Sequence, residues 1–170
     1  MENFVEAVRK AIKNKNWYGA LFIALTLPDI CGKIDNPGER SSQIRYSKWF
    51  EKYIKGYNNF LSGNDCYALR CALLHEGTND ITQQSASEIL ERFEFMTDGP
   101  HCNLSKNNYV NGKRIPTFLQ LRVDKFCEDI CIAVESWLHD VSSDQEIQER
   151  LSKTIEIHGL GHTYGGIKFG

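Results

Sequence analysis

The chain lacks any run of roughly 18 or more apolar residues, so a membrane-spanning helix is not expected. It also lacks a basic leader followed by an apolar core. Its opening residues, Met1-Glu2-Asn3-Phe4-Val5-Glu6, therefore do not read as a secretory signal. It has no excess of positive charge: 20 Lys and Arg against 22 Asp and Glu leave a formal charge of −2. That balance argues against a strong, sequence-independent nucleic-acid binder, yet it leaves room for an enzyme that touches RNA over a short groove. No internal repeat, low-complexity tract, Ser-His-Asp order or paired-carboxylate pattern stands out.

What is present is the material of one globular domain spanning 1–170, with 41% apolar and 25% charged residues over 170 positions. The six cysteines, Cys31, Cys66, Cys71, Cys102, Cys127 and Cys131, include several set in helical patterns among apolar neighbours. This suits reduced core thiols better than a disulfide framework, and with it a cytoplasmic protein.

Residues 2–15 read as an amphipathic helix, with Phe4, Val5, Val8, Ala11 and Ile12 on one stripe. Residues 16–27 are apolar nearly all round, as in a buried central helix; Pro28 is expected to kink or end it, and Gly32 to cap any last turn. After the loop Asp35-Asn36-Pro37-Gly38, Ser41 or Ser42 begins a helix to about Lys55. Gly63-Asn64-Asp65 caps a helix over about 65–76, which Gly77 ends. A β insertion over about 89–122 is expected: Ile89–Met96 alternates and would pair with Thr117–Val123 in a small antiparallel sheet, Asn111-Gly112 supplying a turn. The cleanest helix is 122–141, and Asp144–Thr154 is a short polar helix within a polar tail at 142–170. The sum is a mainly α fold, a helical bundle with a small antiparallel β insertion.

The stretch that carries chemistry is Leu69-Arg70-Cys71-Ala72-Leu73-Leu74-His75-Glu76-Gly77. An arginine and a histidine sit here in an otherwise apolar helix, where polar groups need a reason. At about 100° per residue, Arg70 and His75 lie about 140° apart and flank a stripe of Tyr67, Cys71, Leu74 and Thr78. Leu69, Ala72 and Leu73 occupy the other side. Two apolar faces imply packing on two sides, and a second copy of the chain is the simplest occupant of the outer one. A guanidinium that holds phosphate and an imidazole that moves a proton near neutral pH are enough to cleave RNA without metal. The structural alternative pairs Arg70 with Glu76 or Asp65 and sets His75 against the helix dipole.

The run Leu-Arg-x-x-Leu-Leu-His-Glu-Gly resembles the signature of the HEPN superfamily, small helical proteins with an Arg-x(4–6)-His motif on a helix. Tyr67-Ala68-Leu69 and the run Leu25-Thr26-Leu27-Pro28-Asp29-Ile30-Cys31-Gly32 are similar to bacterial members found near plasmid-maintenance or phage-defence genes. The motif covers about ten residues, the helical order extends over 2–140, and the β insertion and tail lie outside the likeness. The resemblance implies a HEPN-like up-and-down helical bundle acting as a homodimer. It also implies a metal-independent endoribonuclease that needs no cofactor, a toxin or phage-defence effector with an antitoxin as a further partner. Carried onto this chain, His75 is general acid or base and Arg70 holds the scissile phosphate, leaving a 2′,3′-cyclic phosphate and a 5′-hydroxyl. Tyr67, Cys71 and Glu76 take supporting places. One departure stands out: the residue after the arginine is often Asn, Asp or His in active members, and here it is Cys71, a poor partner for orienting an imidazole. That departure motivates the alternative of a non-catalytic HEPN module binding a partner protein or RNA.

Elsewhere, Arg45, Lys48 and Lys52, interleaved with Tyr46, Trp49 and Tyr53, are candidate RNA contacts, against the plainer reading of a solvated face over a packed aromatic row. Cys127 and Cys131 with His158 and His162 have the residue types of a zinc site, but the cysteines read better as core thiols. His101-Cys102 is a loop pair without a partner legible in the sequence. The tail glycines, Gly159, Gly161, Gly165 and Gly166, do not follow a strand or open a helix and are not read as a phosphate loop.

Overall fold

The computed structural model describes residues 1–57 and 59–170. It is mainly helical. In chain order the elements are α1 (Glu2–Lys13), α2 (Trp17–Asp35), α3 (Ser42–Tyr53), a 3-10 turn (Lys55–Tyr57), α4 (Gly63–Cys71) and a π turn (Ala72–Glu76). Strands β1 (Arg92–Met96), β2 (Asn103–Ser105), β3 (Tyr109–Val110), β4 (Lys113–Arg114) and β5 (Phe118–Arg122) follow. Then come α5 (Val123–Asp140), α6 (Gln145–Leu151), β6 (Thr163–Tyr164) and β7 (Ile167–Lys168). Among the described residues no helix is long and apolar enough to cross a membrane.

Helix starts follow the side chains that satisfy orphan N–H groups. Asn16 accepts from the Gly19 N–H, Ser41 from Ile44, Ser62 from Asp65 and Asp144 from Ile147. The motif helix therefore begins at Gly63 behind Ser62, two residues earlier than the sequence suggests. Helix α2 is the centre of the molecule and packs against α1, α3, α5 and α6. Its Leu21, Ala24, Leu25, Leu27 and Cys31 are buried with Trp49 and Phe50 of α3 and Phe126, Ile130, Val134 and Trp137 of α5. The Trp49 and Trp137 rings meet edge to face at 6.4 Å.

Two expectations about α2 are corrected. Pro28 does not end the helix, which runs on to Asp35. A mid-helix proline costs about 3 kcal/mol, and burial of this helix on several sides outweighs that cost. Gly32 is not a cap but a contact point: a Cβ there would lie 2.9 Å from the Arg45 carbonyl oxygen, so only glycine allows α2 and α3 to approach this closely.

The β insertion exists, but its main pairing is parallel. β1 pairs with β5 in parallel register, Phe93 opposite Leu119, and β2 adds antiparallel to β5, giving the order β1-β5-β2. Phe93, Leu119 and Leu121 bury one face of the sheet. Parallel neighbours need a long crossover, which residues 97–117 provide; Asn111-Gly112 instead turns the small β3–β4 hairpin, with φ of 51° and 76°. The loop pair His101-Cys102 does have partners. His101 Nδ1 accepts from the Arg122 N–H at 3.0 Å, and its Nε2 lies 2.8 Å from the Tyr57 hydroxyl, which donates to Asp129 at 2.7 Å. This clasp ties the insertion to α5 and the 3-10 turn.

Candidate functional site

Arg70 and His75 meet, although a regular α-helix would hold them on different faces. The reason is the π turn. Its bonds run from i to i+5, so the residue five positions on takes the place that i+4 holds in an α-helix. The Gly77 N–H reaches back to the Ala72 carbonyl, and Gly77 closes the turn in the left-handed conformation at φ 69°. Arg70 Nη1 consequently lies 3.3 Å from His75 Nε2. A guanidinium only donates, so Nε2 is the acceptor in this contact, and the neutral imidazole with its proton on Nδ1 is the form that fits.

The partner of Arg70 is neither Glu76 nor Asp65. It is Asp29 on α2, with Arg70 Nη2 and Asp29 Oδ2 at 2.7 Å and the two side chains 21% and 17% exposed. Glu76 is exposed and accepts from Gln84 Nε2 at 2.7 Å. Asp65 is buried and accepts the Glu88 N–H at 2.7 Å; burial pushes its carboxyl above the usual range even though backbone N–H groups oppose this. Sequence reasoning missed the role of Asp29. The available signal was an acidic residue inside the apolar run from Leu25 to Cys31.

The remaining sequence candidates divide. Tyr67 shares a 2.7 Å hydrogen bond with Ser42 of α3 and stacks edge to face on Tyr46 at 5.5 Å, and burial raises its phenol. It braces the site helix against α3. Cys71 is half-buried beside Tyr67 and adds to the upward push on that phenol. Leu69 and Ala72 are buried while Leu73 of the same face and Leu74 of the other are half-buried, so neither apolar face is fully covered. Arg45 is half-buried, donates to the Glu39 carbonyl, and lines the same groove as Arg70 and Asp29. Lys48 and Lys52 are exposed and do not line that groove; Lys52 sits over the Tyr53 ring at 4.8 Å. Tyr46 and Trp49 are buried, so they are not available to stack on bases. Cys127 and Cys131 are buried in α5, where desolvation raises both thiols, that of Cys131 to about 12. His158 and His162 stack on each other at 3.6 Å in the tail, and among the described residues no three potential metal ligands gather.

The arrangement joins a fixed guanidinium, an exposed imidazole and a carboxylate that orients the guanidinium. It is equipped to hold a phosphate oxygen and exchange one proton beside it. No family model, curated protein or solved structure matches the chain.

Proposed function

We propose that the protein is a metal-independent endoribonuclease of HEPN type that works as a homodimer. The observation that carries this reading is the contact between Arg70 and His75 at 3.3 Å on an edge where His75 is exposed. In the proposed reaction His75 Nε2 takes the proton of a ribose 2′-hydroxyl. The 2′-oxygen then forms its bond to phosphorus while the bond to the 5′-oxygen breaks, and that oxygen leaves with a proton. Arg70 stabilises the charge that builds on the phosphate, and Asp29 fixes the direction of its fork. The products are a 2′,3′-cyclic phosphate and a 5′-hydroxyl.

The second proton transfer supports the dimer, because one copy brings a single histidine to this edge. Tyr18 and Phe22, 75% and 39% exposed, lie on the side of α2 that also carries Asp29, by helical spacing. An apolar strip of this kind beside the site suits a second copy, whose His75 supplies the acid. Such an enzyme fits the role of a toxin or phage-defence effector held by an antitoxin.

A second reading is favoured by Asp29 itself. A carboxylate at 2.7 Å compensates the guanidinium before any phosphate arrives, as in a HEPN module that binds RNA or a partner protein without cutting. Incubation of mixed RNA with wild type, Arg70→Ala and His75→Ala separates the two. Cleavage by wild type alone is expected; equal cleavage by all three, or none by any, removes the enzyme.

A further inference from the structure

Helix α6 belongs to the polar tail, and nothing above assigns it a task. It forms one wall of a groove of about 480 Å³ that also takes in α2, α3 and α4, within the size range of small-ligand sites, about 300–1,000 Å³. Five cations, Lys33, Arg45, Arg70, Arg150 and Lys153, line it against one carboxylate, Asp29. We propose that this groove binds the phosphodiester backbone of single-stranded RNA on one side of the Arg70–His75 pair. The inference rests on the function proposed above and extends it from the cleaved bond to the track that leads there.

Three observations carry it. First, the chain has no positive charge to spare, at −2 overall, yet concentrates these cations in one groove. The carboxylates outside the lining that pair with them, Glu146 with Arg150 at 3.5 Å and Glu149 with Lys153 at 2.7 Å, are 86% and 71% exposed, and such surface pairs contribute little.

Second, three of the cations are anchored by backbone carbonyls. Lys33 Nζ donates to Pro37 at 2.9 Å, Arg45 to Glu39, and Arg150 Nε to Ile34 at 2.7 Å. A carbonyl orients a cation without cancelling its charge, so the remaining N–H groups stay available to an anion. The Nε atoms of Arg45 and Arg70 are themselves buried without an acceptor, two of four such side-chain atoms among the described residues.

Third, the groove is continuous with the chemistry, since Arg70 lines it and also touches His75. Among the described residues no aromatic ring lines it; Ile30 and Ile34 supply its apolar surface. A cationic track without stacking platforms reads phosphates and not bases.

The test uses a fluorescein-labelled 2′-O-methyl RNA, whose attacking hydroxyl is blocked, titrated by anisotropy over a range of potassium chloride concentrations. Lys33→Gln combined with Lys153→Gln changes two exposed side chains and leaves the core untouched, which circular dichroism verifies. The double variant is expected to bind about tenfold more weakly, with a slope of log K against log salt shallower by about 1.4, two contacts at about 0.7 each. Lys106→Gln with Lys125→Gln, exposed and outside the groove, is expected to bind as wild type. Unchanged affinity and slope in the groove variant, or equal losses in both variants, overturns the proposal. Cleavage of ordinary RNA separates this result from the function itself. Lysine-dependent binding without any cutting upholds the groove and removes the nuclease. Cutting by a groove variant whose binding is unimpaired removes the groove and leaves the nuclease.

Discussion

Arg70 serves two partners with one fork: Nη2 meets Asp29 and Nη1 meets His75. A lysine carries the same charge on a single nitrogen and lacks the planar fork that sets one nitrogen on each partner. Arg70→Lys is therefore expected to bind RNA within a few-fold of wild type while cleavage falls about 10²-fold, the usual cost of one lost transition-state donor. Separate measurement of Kd and single-turnover rate checks this. Asp29→Asn keeps the shape but removes the charge that balances Arg70, and a lost charge-assisted hydrogen bond of this kind costs about 1.5–3 kcal/mol. The expected sign is a lower midpoint in urea unfolding.

A second residue with a defined protonation state is His101. Desolvation holds its pKa below the usual 6.5, outweighing the pull of Asp129 and Asp124. The neutral ring accepts from the Arg122 N–H through Nδ1, an acceptor that protonation would abolish. The folded state thus binds this proton less readily than the unfolded chain. Its contribution to stability is fully present above about 6.5, and it is lost as pH falls through the lowered value. Urea unfolding of wild type and His101→Gln at neutral and mildly acid pH is expected to show a smaller acid loss in the variant. An equal loss would place the acid sensitivity elsewhere.

At the scale of elements, the π turn decides the site. Composition and periodicity revealed the helices because several start on a capping side chain, as α3 does on Ser41, and others carry an apolar stripe that must be buried, as α5 does with Phe126, Ile130, Val134 and Trp137. They did not reveal the π turn, which leaves no mark on apolar spacing, and so the angular reading kept Arg70 and His75 apart. The strand pairing was hidden for a similar reason. The alternation around Phe93 identifies which residues face inward but carries no information on strand direction. Asp29, Arg150 and Lys153 were out of reach because their meeting with Arg70 depends on how α2, α4 and α6 pack. Gly77 holds the end of the turn at φ 69°, a conformation that costs other residues about 1–2 kcal/mol. Gly77→Ala is expected to lower the melting temperature and to reduce cleavage as well, since its strain falls on the turn that carries His75. Unaltered cleavage in a destabilised variant would show that the turn is not what places the imidazole.

For the whole molecule, the reading requires two copies. Tyr18→Glu with Phe22→Glu sets charges on the exposed strip of α2 and leaves the buried residues of that helix, such as Leu21, Ala24 and Leu25, unchanged. Sedimentation velocity is expected to show a dimer for wild type and a monomer for the double variant, with cleavage lost alongside. A cleaving monomer would refute the shared site. The central claim, that Arg70 and His75 split a phosphodiester unaided, is tested most directly by mass spectrometry of RNA ends produced in the presence of a chelator. The account expects 2′,3′-cyclic phosphate and 5′-hydroxyl ends from wild type and none from His75→Ala. Ends bearing a 5′-phosphate, or cleavage that the chelator abolishes, would contradict it.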